Sequence, residues 1–416
     1  MPTTQTQPNL DAGLYLCHMI ARALRGRRAD DKPAGVTWAD VWQYAKINKV
    51  EAIAWMGMPE HPTQPLDDQL AAAWQSAADM TLFRELTFDA ERETVLCALE
   101  AQGLSTMTLK GPNTCALYPQ PGMRSMSDND ILYGFIETTN NGGWRVRDNM
   151  RKAGETVVRD VMQQLGYTTA EENYGVISFV KPPVAHFEMF DSVAMPCNAH
   201  ADYYANPWEK AIQGNHGNMR WRMEDHYLFH IAHMYKHYDE SCGCGIRFAI
   251  DEWVFLKALG KADWTYIRRE LKTMKLTAFE QQVSRVATIA FGKDSVARVL
   301  TNDDISQGRV RAGDALSDND DLVFLGILLN SGIYGNMQFK MQREIAKAQS
   351  ARGGFGRGTY LRERIFPSYN MLISMYPWVE GKPWLVPFMP FYRLAKGVRH
   401  NSGKIAAELR MLFTRK

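Results

Sequence analysis

Residues 109–132 read LKGPNTCALYPQPGMRSMSDNDIL, and this stretch decides how the chain is to be read. Asp128 and Asp130 are two apart at the start of a strand-like run, 128–132. In a strand such residues share one face, with Cα atoms about 6.5–7 Å apart. Two carboxylates on one face repel unless a cation lies between them. Mg²⁺ suits the place, because it takes hard oxygen ligands and keeps positions open for phosphate. Asn129 falls on the opposite face. Alone, an Asp-x-Asp pair is more often a solvated turn. Three neighbours argue for more. Lys110-Gly111 follows an apolar run, where bare backbone can approach a phosphate and a lysine can neutralise it. Arg124 stands four residues before Asp128. Further along, alternation in AHFEMF (185–190) puts His186, Glu188 and Phe190 on one strand face. A carboxylate beside an aromatic is costly to bury without a partner, and a metal would supply one.

Outward from this segment the texture divides in two. Upstream, apolar residues recur at helical spacing over 14–24, 38–45, 70–83 and 86–99, so 1–102 is predicted to be a helical N-terminal region. At Gly103 short mixed elements begin: a strand at 106–109, a helix at 113–118, a loop at 138–143 and an amphipathic helix over 144–165. Two strands, 176–181 and 184–190, are parted by Pro182-Pro183 and form an expected hairpin. The α/β core is therefore placed at 103–205. Helical periodicity returns over 206–349, with helices expected at 224–238, 247–259, 265–275, 279–291 and 320–347. Residues 350–416 form a basic tail, with 12 Lys/Arg against 3 Asp/Glu in 351–416. In it Trp378, Pro383, Trp384, Pro387 and Pro390 read as an extended strap packed on the core. The tail's charge reads first as a solvated helical face, with RNA or an anionic membrane (393–413) as alternatives.

Composition bounds the function. The chain has 416 residues, 45% hydrophobic and 23% charged, with a net charge of +2, so no global field points to nucleic acid or membrane. No run reaches the length of a membrane span, and the polar N-terminus lacks a secretory pattern. Six cysteines are too few for a disulfide scaffold. A soluble cytoplasmic protein, without stable membrane association, is expected.

His226, His230, His233 and His237 fall at i, i+4, i+7 and i+11, one face of a helix, with Cys242 and Cys244 just beyond. Zinc comes to mind, but Cys-Gly-Cys is tighter than the usual spacing of structural zinc ligands. A helix packed on the core, ending in a glycine-rich turn, is the preferred reading.

The pattern LKG…LYP…RSMSDxD, followed by KPPVAHFEMF (181–190), YYANPWEKA (203–211), the His-rich segment 224–253, IFPSYNMLISMYPWV (365–379) and PWLVPFMPFYRL (383–394), resembles the uncharacterised bacterial nucleotidyltransferases of the polymerase-beta-like superfamily. The resemblance implies an α+β fold, a small mixed β-sheet nucleotidyltransferase core embedded in helical N- and C-terminal regions. It implies that Asp128, Asp130 and Glu188 hold Mg²⁺ or Mn²⁺, and that Glu188 can take the acceptor's proton. Lys110, Gly111 and Arg124 are then expected at the phosphates. Lys236, His237 and Arg247 are expected to reach the nucleotide from the helical side. Asp251 lies four residues after Arg247, and that spacing reads equally as a pair that orients Arg247 or as a surface ion pair worth a few tenths of a kcal/mol. The implied reaction moves a nucleoside monophosphate from an NTP, ATP being the expected donor, to a hydroxyl on a small molecule, protein or RNA. Two rivals are a non-catalytic nucleotide- or RNA-binding protein on the same fold and a toxin-like transferase modifying tRNA. The sequence departs from the superfamily in three ways. Lys110-Gly111 replaces the usual Gly-Ser, Asn129 stands between the two Asp, and Phe190 takes a position often held by His. His200 is a candidate replacement for that His.

Overall fold

Helix signals at the N-terminus are met in sequence order. The computed structural model describes residues 10–193, 199–214, 218–240, 243–292, 320–333, 335, 362, 365–394 and 396. Helix α1 (Leu10–Ala23) is buried on nearly every side. Helix α2 (Trp38–Asn48) starts where Thr37 accepts the Asp40 N–H, and α3 (Glu51–Met56) follows. Between α3 and the next helix, Gly57 sits where an added Cβ would lie 2.1 Å from the Met19 carbonyl oxygen of α1. Gly57→Ala is therefore expected to cost about 3 kcal/mol, read as a lowered urea midpoint.

Helix α4 (Asp68–Ala101) is a single 34-residue rod capped by Asp67. The two helices expected at 70–83 and 86–99 are one, because nothing between them breaks a helix: Arg84 and Glu85 both have good helix propensity. Its two ends serve different cores. Trp74 packs among α1–α3, whereas Val95, Leu96 and Leu99 pack beneath the sheet.

The sheet begins at β1 (Ser105–Thr108). A short helix α5 (Gly111–Cys115) comes next, earlier than the expected 113–118. Then come β2 (Asn129–Gly134), β3 (Ile136–Thr138), β4 (Trp144–Val146), α6 (Arg151–Gln164), β5 (Thr168–Asn173), β6 (Val176–Lys181), β7 (Ala185–Phe190), β8 (Ile212–Gln213) and β9 (Met219–Arg220). The expected helix over 144–165 is corrected at its start. Trp144 and Val146, both strand formers, pair with Thr138 and Ile136. Asn149 then takes a positive φ of 62°, which no right-handed helix accommodates. Seven strands lie in the order β5-β6-β7-β2-β1-β9-β8, with β7/β2 and β1/β9 parallel and the other pairs antiparallel. This is an α+β fold with a mixed sheet.

Period-2 alternation sorts the sheet's faces. Ile131, Tyr133, Ile177, Phe179, Phe187 and Met189 bury against α4 and α6. Leu132 points the other way, with Met107, Leu109, Met219 and Trp221. Asn129 turns to the α4 side, accepting from Arg92 Nη1 and donating to the Phe88 carbonyl.

Beyond the sheet, α7 (Met223–Tyr235) runs into one π turn, Lys236–Glu240. Then follow α8 (Ile246–Ala258), α9 (Trp264–Thr273), α10 (Thr277–Phe291), α11 (Asp320–Ser331) and α12 (Tyr369–Met375). The rest of the helix expected at 320–347 lies mostly outside the described residues. Leu16, Val41, Ile250, Val286 and Leu325 share one core, so α1 and α2 close against α8, α10 and α11. Asn48 pins that junction: its amide donates to the Leu329 carbonyl, and its Oδ1 accepts the Ile246 N–H.

Residues 365–394 do not form an extended strap. Two 3-10 turns, each opened by a proline (Pro377, Pro383), fold the segment back on α12. Leu372, Ile373, Val379 and Met389 make a small core of their own, and Trp378 and Trp384 stay exposed. The amphipathic reading of 393–413 falls almost wholly outside the described residues.

Candidate functional site

The backbone ladder brings the acidic residues together. In the parallel β2/β7 pair, Asp130 stands directly opposite Glu188. Asp128 precedes β2 by one residue, and all three line one cavity of about 670 Å³. That is ample for a nucleotide-sized ligand. The cavity floor is the sheet face that carries Glu188 and Phe190. Its opposite wall is α7 with the π turn, and Arg247 contributes from α8.

The strand β1 delivers Lys110. The Leu109 N–H donates to the Asp130 carbonyl, which fixes the next residue beside the Asp130 side chain. Lys110 Nζ lies 2.9 Å from Asp130 Oδ1, yet that buried oxygen has no well-aligned hydrogen bond among the described residues. Asp130 is 1% exposed. Burial pushes its carboxyl up to about 7; Lys110 opposes this, while Asp128 and Glu188 add to it. Burial pulls the Lys110 ammonium down, but the three carboxylates outweigh it and hold it above its usual value. One lysine thus faces three acids. The Lys110 cation also lies 5.8 Å from the Phe190 ring centre, on the same sheet face as Glu188. Gly111 follows at φ +28°, a backbone that a side chain would strain, and a Cβ there would sit 3.6 Å from the Asp128 carbonyl oxygen.

His186 supports the trio from β7. It sits 2.7 Å from Ser178 Oγ through Nε2 and 3.2 Å from the Ser127 carbonyl through Nδ1. With the proton on Nδ1, the ring donates to Ser127 and accepts from Ser178, which ties the residue before Asp128 to the sheet. The strand alternation put His186 on this face but gave no sign of its partner.

Arg124 is placed differently from expectation. Its Nε and Nη2 meet Asp251 Oδ1 and Oδ2 at 2.8 and 3.0 Å. Tyr118 also donates to Asp251 Oδ1 at 2.7 Å. Burial raises the Asp251 carboxyl, and the Arg124 guanidinium overrides that and holds it below the usual range. Asp251 is therefore committed to Arg124 and does not orient Arg247, and Arg124 is engaged by protein before any phosphate arrives. The two residues are 127 apart in sequence, and no local pattern announces the pair. Arg247, which lines the cavity, is under-compensated. Its Nη1 donates to the Ser125 carbonyl at 3.2 Å, while its buried Nε has no hydrogen-bond partner among the described residues. Burial, then the nearby Arg124, lower its proton affinity.

Lys236 and His237 reach the cavity from the π turn, where such turns often re-aim functional side chains. His237 Nε2 lies 3.1 Å from His233 Nε2. Burial pushes His237 down to about 3, with Lys110 and Lys236 adding to the effect, and pushes His233 well below its usual value. His226 Nε2 bonds the Leu109 carbonyl and is pushed down to about 4 by burial. His230 faces Glu252 at 3.4 Å. The stripe therefore lies along the cavity wall and packs α7 on the sheet. Among the described residues no three His, Cys, Asp or Glu side chains form a ready metal cage. Cys244 is buried in the helical core, and Cys242 lies outside the described residues. His200 bonds the Met274 carbonyl at 3.0 Å, a scaffold contact at the cavity edge.

These neutral histidines give an acid-stability prediction. Unfolded, each titrates near 6.5; folded, His226 titrates near 4 and His237 near 3. Protons thus bind the unfolded chain first. Stability is full above pH 6.5, falls as pH drops from there, and levels off below the folded values. For His226 the loss is on the order of 3 kcal/mol. Thermal melts of His226→Gln, which keeps a donor for Leu109, are expected to show a flatter decline between pH 6.5 and 4 than the unaltered chain. An unchanged slope would contradict the assignment.

A model of a family described as uncharacterised nucleotidyltransferase matches residues 34–141 and 148–292, more than half of the chain. No curated protein and no solved structure matches.

Proposed function

Because the chain belongs to this uncharacterised nucleotidyltransferase family, we propose that it moves a nucleoside monophosphate from an NTP, ATP in the first instance, to a hydroxyl acceptor, with Asp128, Asp130 and Glu188 holding Mg²⁺ or Mn²⁺. Family membership itself makes the chain an enzyme of nucleotidyl transfer. The donor base, the acceptor class and the residue roles are our reading. The observation that carries it is the register of β2 on β7, which sets Asp130 beside Glu188 at the floor of the cavity.

The donor set has the chemistry a hard divalent cation takes, although the three side chains do not converge on one point in this structure, where the Lys110 ammonium sits against Asp130. The set is all carboxylate oxygen, and Asp130 Oδ1 is buried without an aligned hydrogen bond. Asp128, Asp130 and Glu188 would hold such an ion, and Lys110 would then have to give up its contact with Asp130 Oδ1. Bound there, the metal supplies charge neutralisation for the triphosphate and lowers the pKa of the acceptor hydroxyl. The chain's own residues do the rest. Lys110, released from Asp130, and Arg247, with an unused Nε, offer positive charge to the phosphate oxygens. Gly111 leaves the backbone bare beside Asp128. The acceptor oxygen bonds to the α-phosphorus, the bond to the bridging oxygen breaks, and pyrophosphate leaves. The hydroxyl proton passes to Glu188. Positioning and electrostatics account for the rate, as in other phosphoryl chemistry.

The test is incubation of the protein with each α-labelled NTP and a cell extract. Label in an acceptor fraction, with matching pyrophosphate, is expected. Nucleotide bound without pyrophosphate release would point to a binding protein instead.

A further inference from the structure

The segment 365–394 presents an unusual surface. Its small core accounts for Leu372, Ile373, Val379 and Met389. Outside it, Phe391 is 74% exposed, Trp384 67%, Phe366 64%, Phe388 63% and Leu394 61%. Met371, Met375, Ile365, Trp378 and Tyr392 are exposed as well. Large apolar side chains gathered in one short segment mark a surface made to be covered.

From this surface we propose that residues 365–396 dock the protein, reversibly and peripherally, on an anionic lipid surface. Two features select that occupant. The first is charge. Among the described residues of the segment, Lys382, Arg393 and Lys396 stand against the single acid Glu380, and the whole stretch 351–416 carries 12 Lys/Arg and 3 Asp/Glu. Basic residues interleaved with Trp, Tyr and Phe match the boundary between headgroups and acyl chains, where rings sit at the interface and ammonium groups reach the phosphates. A second copy of the chain would bring like charges face to face. The second feature is the mixture of apolar types. Single-stranded nucleic acid stacks on aromatic rings, but Leu394, Ile365, Met371 and Met375 offer no ring, while a lipid surface takes aliphatic and aromatic groups alike. Docking of this kind lies in the interface and needs no spanning helix, and no helix among the described residues is long and apolar enough to cross a membrane.

The same segment touches the rim of the site. Ser374 lines the cavity, next to the buried Ile373. Burial and then the nearby Glu380 carboxylate raise the Tyr174 phenol, in the turn between β5 and β6, so this end of the segment also lies close to the sheet. A docked protein therefore holds its cavity beside the lipid surface. The inference does not depend on the proposed reaction, and its test reads no activity.

The test is co-sedimentation of the full chain with phosphatidylcholine vesicles, with and without phosphatidylglycerol. Binding to the anionic vesicles, weakened by salt and much lower on phosphatidylcholine alone, is expected. The double variant Trp384→Ser/Phe391→Ser should bind at least about tenfold more weakly, with its melting temperature unchanged because both side chains are solvent-exposed. Lys382→Glu/Arg393→Glu should weaken binding to anionic vesicles by about fivefold or more per residue, leaving the small core intact. Absence of binding to either vesicle would overturn the inference, as would equal binding by both variants. It would also be overturned if the aromatic substitutions instead abolished self-association in sedimentation velocity or retention of labelled RNA.

Discussion

Asp130→Asn lowers nucleotidyl transfer by about a thousandfold or more while the protein stays folded. The substitution keeps the side chain's shape and removes the charge that faces Lys110 at 2.9 Å and neighbours Glu188 across the ladder. Asn cannot compete for a divalent cation as a carboxylate does, so no excess of Mg²⁺ should rescue it. Stability should not fall, because burial pushes the Asp130 carboxyl up to about 7, so its ionisation works against the native state at neutral pH and a neutral isostere relieves that. Initial rates of label transfer and a melting curve measure both halves of the result. Glu137→Gln is the control. It breaks an exposed ion pair with Arg145 on the β3–β4 ribbon and should leave the rate unchanged. A variant at Asp130 with near-normal turnover would remove the acidic trio from the chemistry.

Arg124→Met carries the second large effect, and it falls on stability. The guanidinium is buried and bonds Asp251 through two nitrogens, while Tyr118 donates to the same carboxylate. Removing Arg124 leaves Asp251 buried with a lone phenol, an arrangement that costs about 3–5 kcal/mol. The loss appears in urea unfolding as a lower midpoint at constant slope. Arg124→Met combined with Asp251→Leu removes both charges and should regain much of the loss. A double variant no better than the single would show that packing, not the stranded carboxylate, sets the cost. The pair also joins the loop before Asp128 to α8, so activity is expected to fall through that loop even in chains that stay folded.

What local pattern could reveal was the placement of side chains along single strands. Alternation alone set Asp128 and Asp130 to one side of β2 and Asn129 to the other, where Arg92 and the Phe88 carbonyl now hold it. It also put Glu188 and Phe190 together on β7, and the Pro182-Pro183 hairpin fell where expected. Choices between distant segments were not legible. Helical periodicity over 144–165 outvoted three residues that pair with β3, because a strand partner leaves no mark on the strand's own sequence. The i,i+4 spacing points Asp251 to Arg247, its neighbour one helical turn away, whereas Arg124, 127 residues distant in sequence, takes it. The prolines and tryptophans after residue 376 suggested packing on the core. Proline-started turns instead let the segment bury its own small cluster and leave the larger rings outside.

The reading stands or falls on where a divalent cation binds. Crystals grown with Mn²⁺ and an NTP analogue that resists cleavage between the α- and β-phosphorus would locate it by anomalous scattering. The account predicts a manganese peak bound by Asp130 and Glu188, with Lys110 moved from Asp130 Oδ1 onto the triphosphate. A peak among the histidines of α7, with Lys110 still on Asp130, would contradict it.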